Sequence, residues 1–446
     1  MIYGPTFAEM RDPGLQSEVT RERARDARAR PLDPLNVWNL SWKADGAVPH
    51  VVLPEALTGV PASIVVLSGR RFPTGSHKVG PAYSILVEKQ LERLCEPGGK
   101  TLVFPSTGNF GIGGAWVGPR MGYRSVVVLP EEMSAERFEK IRGYGAEVVA
   151  TPGSESNVKE IYDKVRELRA QPGHAILNQF EEFANYRFHH HCTAAAASEV
   201  VRGLGLRVAG FVSAMGSAGT IAAGEALKRE HAGSLTVAVE PVQCPTLYNV
   251  GFGAHRIEGI GDKHVTWIHN VFATDLLVCV DDLECLLGLQ LLQEGREALV
   301  AEGVPAELAA GVVDVFGVSG VCNVLGAIKA ARHFGFGPKD ALVTVATDGF
   351  DRYPSVLRRL DQERGRMTPD AARRRLEVFR GQKGDYVLQA TRDVQRRWHN
   401  QKYFTWVEQQ GKSVSELRAL EDPAFWVEQQ QRIHTVDKRI REARGA

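Results

Sequence analysis

The sequence predicts an α/β protein built on parallel sheets, and three observations carry that prediction. Short β-branched runs bounded by glycine recur from about residue 61 to residue 353. Longer amphipathic stretches separate them, at the spacing of strand, helix, strand units with right-handed crossovers. Beyond about residue 357 the strand-like runs stop and helical periodicity takes over.

The elements follow in chain order. Residues 1–60 read as an irregular leader, with one basic run, Arg21 to Arg30, that Pro31 ends. Its interspersed charges suit a solvated helix. Thr101–Phe104, Ser125–Leu129, Glu147–Ala150, Gly210–Ser213, Leu235–Val239 and Ala341–Ala346 are expected to be buried parallel strands. Ala135–Tyr144, Asn157–Ala170 and Ile221–Glu230 are expected to be helices between them. These runs suggest a smaller α/β domain over 61–205 and a larger one over 206–357. The tail, 358–446, reads as a helical extension, with a capping box at Ser413-Val-Ser-Glu416. It repeats an aromatic turn, Phe404-Thr-Trp-Val-Glu-Gln-Gln410 and Phe425-Trp-Val-Glu-Gln-Gln-Gln431. Such turns would expose a large apolar patch if the tail floated free, so it should pack on the body or on a second copy.

Composition narrows the partners. Fifty-four basic against fifty-three acidic side chains leave a net charge of +1, too small a field to recruit nucleic acid or anionic lipid. Apolar runs such as Ala62–Leu67 are strand-length, far short of the roughly 20 residues that span a bilayer. The first residues lack the basic and apolar regions of a secretory signal. The six cysteines are scattered without a CxxC pair, which argues against a disulfide framework and for a reducing cytoplasm. His189-His-His-Cys192 is no metal site on this reading, because adjacent helical residues point about 100° apart.

Four glycine-rich segments carry chemistry. In Phe72-Pro-Thr-Gly-Ser-His-Lys-Val-Gly-Pro81, Lys78 opens a helical stretch, where the helix dipole favours a neutral, nucleophilic amine able to form a Schiff base. Pro105-Ser-Thr-Gly-Asn-Phe-Gly-Ile-Gly-Gly114 offers Ser106, Thr107, Gly108 and Asn109 to a carboxylate. Its glycines lack the dinucleotide spacing. Gly216, Ser217, Ala218, Gly219 and Thr220, before a helix, form a phosphate cradle without the lysine of a triphosphate loop. Val345 to Tyr353 closes the last strand. A reactive lysine, a carboxylate loop and a monophosphate loop call for an aldehyde that also carries a phosphate and acts on an amino acid. Pyridoxal phosphate is such a molecule.

With these motifs in this order, residues 61–357 resemble the fold-type II pyridoxal-phosphate enzymes, the cysteine synthase and cystathionine β-synthase group. The resemblance implies two parallel-sheet domains of tryptophan synthase β-like architecture, a cleft cofactor and a homodimer. It makes Lys78 the Schiff-base lysine and the base for the α-proton, and places Asn109 at the cofactor's ring hydroxyl. Gly216, Ser217, Ala218, Gly219 and Thr220 become the phosphate loop. Ser106, Thr107, Gly108, Asn109 and Gln179 become substrate contacts. Thr347 falls where the family sets Ser or Thr against the pyridine nitrogen, which favours β-elimination and β-replacement. Were Asp348 to face that nitrogen, the argument would reverse. His255-Arg-Ile-Glu-Gly-Ile-Gly261 resembles a cysteine synthase segment.

The implied reaction is β-replacement on an activated serine by a small sulfur nucleophile, through an aminoacrylate. A pyruvate-releasing lyase is the alternative within enzymes, and a non-catalytic cofactor-bearing partner protein lies outside them. This sequence departs from the pattern in Val79-Gly80 after the lysine, in Ser217-Ala218, and in Asp262-Lys263. Charges at Asp262 and Lys263 are expected at the pocket rim, selecting an anionic nucleophile or substrate.

Overall fold

The computed structural model describes residues 3–106, 108–153 and 158–445. Eleven strands are described: β1 (His50–Leu53), β2 (Ser63–Ser68), β3 (Thr101–Pro105), β4 (Ser125–Pro130), β5 (Glu147–Thr151), β6 (His174–Ile176), β7 (Arg207–Ala214), β8 (Leu235–Pro241), β9 (Leu276–Val280), β10 (Asp340–Ala346) and β11 (Val387–Gln389). They form two sheets. The smaller runs β5-β4-β3-β6 and is parallel throughout. The larger runs β1-β2-β10-β7-β8-β9-β11, parallel in the middle and antiparallel at both edges.

The predicted strands fall on β3, β4, β5, β7, β8 and β10. β3, β4 and β9 are buried on both faces, which is why their sequences are unbroken apolar runs rather than alternating ones.

Sheet membership does not follow the expected boundaries at 61 and 358. Ser63–Ser68 pairs in parallel with Ala341–Ala346, so β2 belongs to the larger sheet although it precedes the smaller one in sequence. The leader contributes β1, antiparallel to β2. The tail contributes β11, antiparallel to β9, so strands do not stop at 357. An edge strand of three residues carries too short a pattern to be read from sequence alone.

The tail covers the body over a long path. Trp398 is buried with Met215, Ala218 and Ile221, against the back of the cradle. Trp406 and Trp426 pack with Tyr162, Phe180, Tyr186 and Trp267. The helix Pro423–Arg444 then lays Ile433, Val436 and Ile440 on the large core cluster that residues of both sheets share. Asp437 there accepts from the backbone N–H groups of Phe7 and Ala8, tying the two ends of the chain together.

Candidate active site

The strand ends of both sheets converge on one pocket. Lys78, Ser106, Gly108, Asn109, Gln179, Gly216, Ala218, Thr220 and Thr347 line it, so residues from all four glycine-rich segments meet there. Ser217 reaches the same place through its hydroxyl. Thr107 lies outside the described residues.

Lys78 immediately precedes the helix Val79–Leu91. A Cβ on Gly113 would stand 2.9 Å from the Val79 Cα and 3.1 Å from the Lys78 carbonyl oxygen, both immovable backbone atoms. The glycine therefore lets the helix Asn109–Arg120 press against the lysine's own backbone. Gly80 similarly admits the Phe188 ring, which its Cβ would meet at 2.3 Å. That close approach is the packing behind the unusual Val79-Gly80 pair.

The Lys78 ammonium donates to the Ser217 hydroxyl at 3.2 Å. Burial lowers its pKa to about 8, opposed by the charge of Asp262. Desolvation, rather than the helix dipole invoked from sequence, is thus the main reason the amine approaches its neutral form.

The cradle sits between β7 and the helix Ala222–Glu230. Ala218 has φ +59°, in the left-handed region that favours glycine. Close quarters explain the two glycines. A Cβ on Gly216 would stand 2.9 Å from the Gly259 carbonyl, and one on Gly219 2.2 Å from the Asn185 amide. Asn185 is buried and donates to Ser217 Oγ at 3.0 Å and to the Gln179 carbonyl at 2.9 Å. The Ser217 hydroxyl is therefore turned toward Lys78 and Asn185. His189 faces Thr220 Oγ1 at 3.5 Å and Thr193 Oγ1 at 2.9 Å, within the π-helical turn His189–Thr193. Its neighbour His191 turns away to the Gln430 carbonyl at 2.9 Å.

In the carboxylate loop, Ser106 Oγ accepts from the N–H groups of Gly108 and Gly111 at 3.0 and 2.8 Å, which shapes the turn into the following helix. Asn109 Nδ2 donates to Asp348 Oδ2 at 2.6 Å, and its buried Oδ1 has no hydrogen-bond partner among the described residues. Thr347 lines the pocket, whereas the fully buried Asp348 is engaged by Asn109, by the Tyr353 hydroxyl at 3.0 Å and by Arg137 at 3.6 Å.

Residues that sequence reasoning did not single out complete the frame. Asn323 accepts from the Ala214 N–H at 2.6 Å and donates to the Val345 carbonyl at 2.8 Å, clamping the ends of β7 and β10. Arg137, in the helix Ala135–Gly143, is fully buried, donating to Glu258 and, at 2.8 Å, to Tyr353. A mid-helix asparagine and one arginine in a helix with other charges leave no signal in a single sequence.

The expected rim charges are placed differently. Asp262 is buried rather than at the rim, and Lys263 extends outward over the Phe252 ring at 5.2 Å. Among the described residues, no group of three His, Cys, Asp or Glu side chains could hold a metal ion. No described helix is long and apolar enough to cross a membrane.

This donor set fits pyridoxal phosphate: a buried amine of lowered pKa, a cradle of small residues before a helix whose glycines at 216 and 219 tolerate no side chain, and an amide oxygen at Asn109 unpartnered among the described residues. Comparison with known proteins agrees. Residues 49–348 match the family model described as pyridoxal-phosphate dependent enzyme. The cysteine synthase of Staphylococcus aureus (strain Mu50 / ATCC 700699) is 30% identical over 312 residues, covering 70% of this chain and 94% of that one. A probable cysteine synthase of Bacillus subtilis (strain 168) is 30% identical over 286 residues, covering 64% and 86%. Among solved structures, O-acetylserine sulfhydrylase isoform 3 from Entamoeba histolytica superposes with a TM-score of 0.61 at 26% identity, covering 74% of this chain and 92% of that one. A fold-type II architecture, a lysine-centred pocket and these relatives together establish that the chain belongs to the pyridoxal-phosphate dependent enzyme family, among the cysteine synthases and their kin.

Proposed function

We propose that this enzyme performs β-replacement, exchanging the β-substituent of an activated serine for a sulfur nucleophile to give cysteine or a cysteine derivative. The observation that carries the reading is Thr347, a neutral residue that lines the pocket just after β10 while the Asp348 carboxylate is engaged by Asn109 and Tyr353. Bound pyridoxal phosphate supplies an electron sink whose strength depends on the group facing its ring nitrogen. A hydroxyl there keeps the sink modest, which suits loss and gain of a β-substituent.

Lys78 would hold the cofactor, and its amine would take the α-proton of the substrate and later return it. Gly216, Ser217, Ala218, Gly219 and Thr220 would hold the phosphate. Ser106, Gly108, Asn109 and Gln179 would orient the substrate carboxylate, which aims the α-proton at the Lys78 nitrogen. Gly259 and Ile260, in the segment that resembles cysteine synthases, close the other wall of the pocket. The reading further has the enzyme act as a cytoplasmic homodimer. Six buried free thiols support a reducing compartment, and sizing in solution tests the dimer.

The test is product analysis of the holoenzyme with O-acetylserine, O-phosphoserine, serine and cysteine, with and without sulfide or a thiol. A sulfur-containing amino acid is expected only when nucleophile and an activated serine are both present. Release of pyruvate and ammonia at a rate no thiol alters would establish the lyase instead.

A further inference from the structure

Asp262 is a buried charge-bearing group close to the pocket whose place the residues discussed so far do not explain. It follows Gly259 and Ile260, which line the pocket, and its backbone is fixed from two sides. The Gly261 N–H donates to the Met215 carbonyl at 2.7 Å, and the Thr246 hydroxyl donates to the Asp262 carbonyl at 3.0 Å. The side chain is buried, and its Oδ1 has no hydrogen-bond partner among the described residues. Among the described residues, the charge acting on it is that of Lys78. A carboxyl buried without a paired and hydrogen-bonded cation costs folding free energy, so it is a poor structural device. Groups of this kind concentrate where they handle protons.

We propose that Asp262 is a catalytic base that accepts the proton of the incoming nucleophile, so that the second substrate is a neutral thiol rather than an anion. The inference rests on the β-replacement reading. As the thiol sulfur bonds to the substrate β-carbon, its S–H bond breaks and the proton passes to the Asp262 carboxylate. The α-carbon receives its proton from Lys78. Over the full cycle the β-substituent leaves as an anion, and Asp262 releases one proton to solvent. A buried carboxylate also repels anions, which reverses the preference expected of a charged rim.

The surroundings leave this group free to act near neutrality. Burial raises the Asp262 pKa to about 7. Four neighbouring titratable groups do not change state there. Burial lowers the pKa of His255 to about 4 and that of His264 to about 3, and raises those of Tyr162 and Cys244. Lys78, at about 8, and Glu240, which burial raises to about 7 and which acts on Cys244 as Asp262 does, are neighbours that also titrate near neutrality.

Asp262→Asn preserves shape and removes the base. The holoenzyme variant is compared with wild type in three measurements: acetate release from O-acetylserine, addition of 2-mercaptoethanol, and addition of 5-thio-2-nitrobenzoate, which is already ionised at neutral pH. General base catalysis contributes about 10²- to 10⁴-fold. The variant should add the neutral thiol at least about 100-fold more slowly and lose the rate rise through about pH 7. It should release acetate within about threefold of wild type and add the ionised thiol equally fast or faster. Equal losses with both thiols, or no loss with either, overturn the proposal. Failure of wild type itself to release acetate from any activated serine overturns the β-replacement reading instead. A second readout needs no turnover. Cofactor-free Asp262→Asn should melt at or above the wild-type temperature at pH 8, and a lower melting temperature would assign Asp262 a structural role.

Discussion

Replacing Arg137 should weaken folding and substrate capture together, because one guanidinium ties the helix Ala135–Gly143 to Glu258 and Tyr353 and backs the loop at Gly108. It is fully buried and donates to Glu258 and Tyr353, with Asp348 at 3.6 Å. A Cβ on Gly108 would lie 2.3 Å from its Nη1, so the loop rests directly on it. Arg137→Met keeps volume but strands two carboxylates, one of them fully buried. Removing one partner of a buried ion pair costs about 3–5 kcal/mol. The guanidinium of Arg352, 3.8 Å from Asp348, offsets part of this, so the lower end, about 3 kcal/mol, is expected. Urea unfolding of the holoenzyme measures that loss. With the loop unsupported, KM for the amino acid should rise about tenfold or more while kcat changes less. Arg137→Lys should recover only part of either loss, since an ammonium cannot span Glu258 and Tyr353 at once. An Arg137→Met protein within 1 kcal/mol of wild type and with unchanged KM would refute the reasoning.

Other outcomes follow from the same geometry. Borohydride treatment of the holoenzyme should fix the cofactor to Lys78, as read by peptide mapping, and a label on any other lysine would displace Lys78 from its role. Ala218→Gly should relieve the left-handed backbone at φ +59°, leaving stability within about 1 kcal/mol by thermal melting and cofactor retention equal or better. Trp398→Ala should cost about 3–5 kcal/mol and loosen cofactor binding measured by dialysis, because this tail residue packs behind Met215, Ala218 and Ile221. In the cofactor-free chain Asp262 has a pKa raised from 3.8 to about 7, so the folded state holds a proton that the unfolded state releases. Its contribution is favourable below about pH 4 and is lost as pH rises through 7, so the stability gap between Asp262→Asn and wild type should widen over that window, as measured by urea unfolding at successive pH values.

The central strands and the four glycine-rich segments were legible because their causes are local. A buried parallel strand needs an unbroken apolar run, and a turn that admits a ligand or a neighbouring backbone needs small residues. These constraints are written within a few consecutive positions, as at Ser125–Pro130 and Gly216–Thr220. Their order along the chain then identified Lys78 and the cofactor class before any contact was visible.

Tertiary structure decided what depends on residues distant in sequence. The place of Ser63–Ser68 in the larger sheet comes from pairing with a strand nearly 280 residues later. Thr347 lines the pocket and Asp348 does not, because Asn109, Tyr353 and Arg137 gather around the carboxylate. No local pattern separates two adjacent residues at a strand end. Burial turned Asp262 from an expected rim charge into an interior acid beside Lys78, and desolvation depends on everything packed around a group. Composition and motif order thus pointed to the fold class and the cofactor class, and the family resemblance to Lys78 as the candidate lysine. The three-dimensional packing alone decided which side chains gather at the pocket and which charged groups burial shifts toward their neutral form.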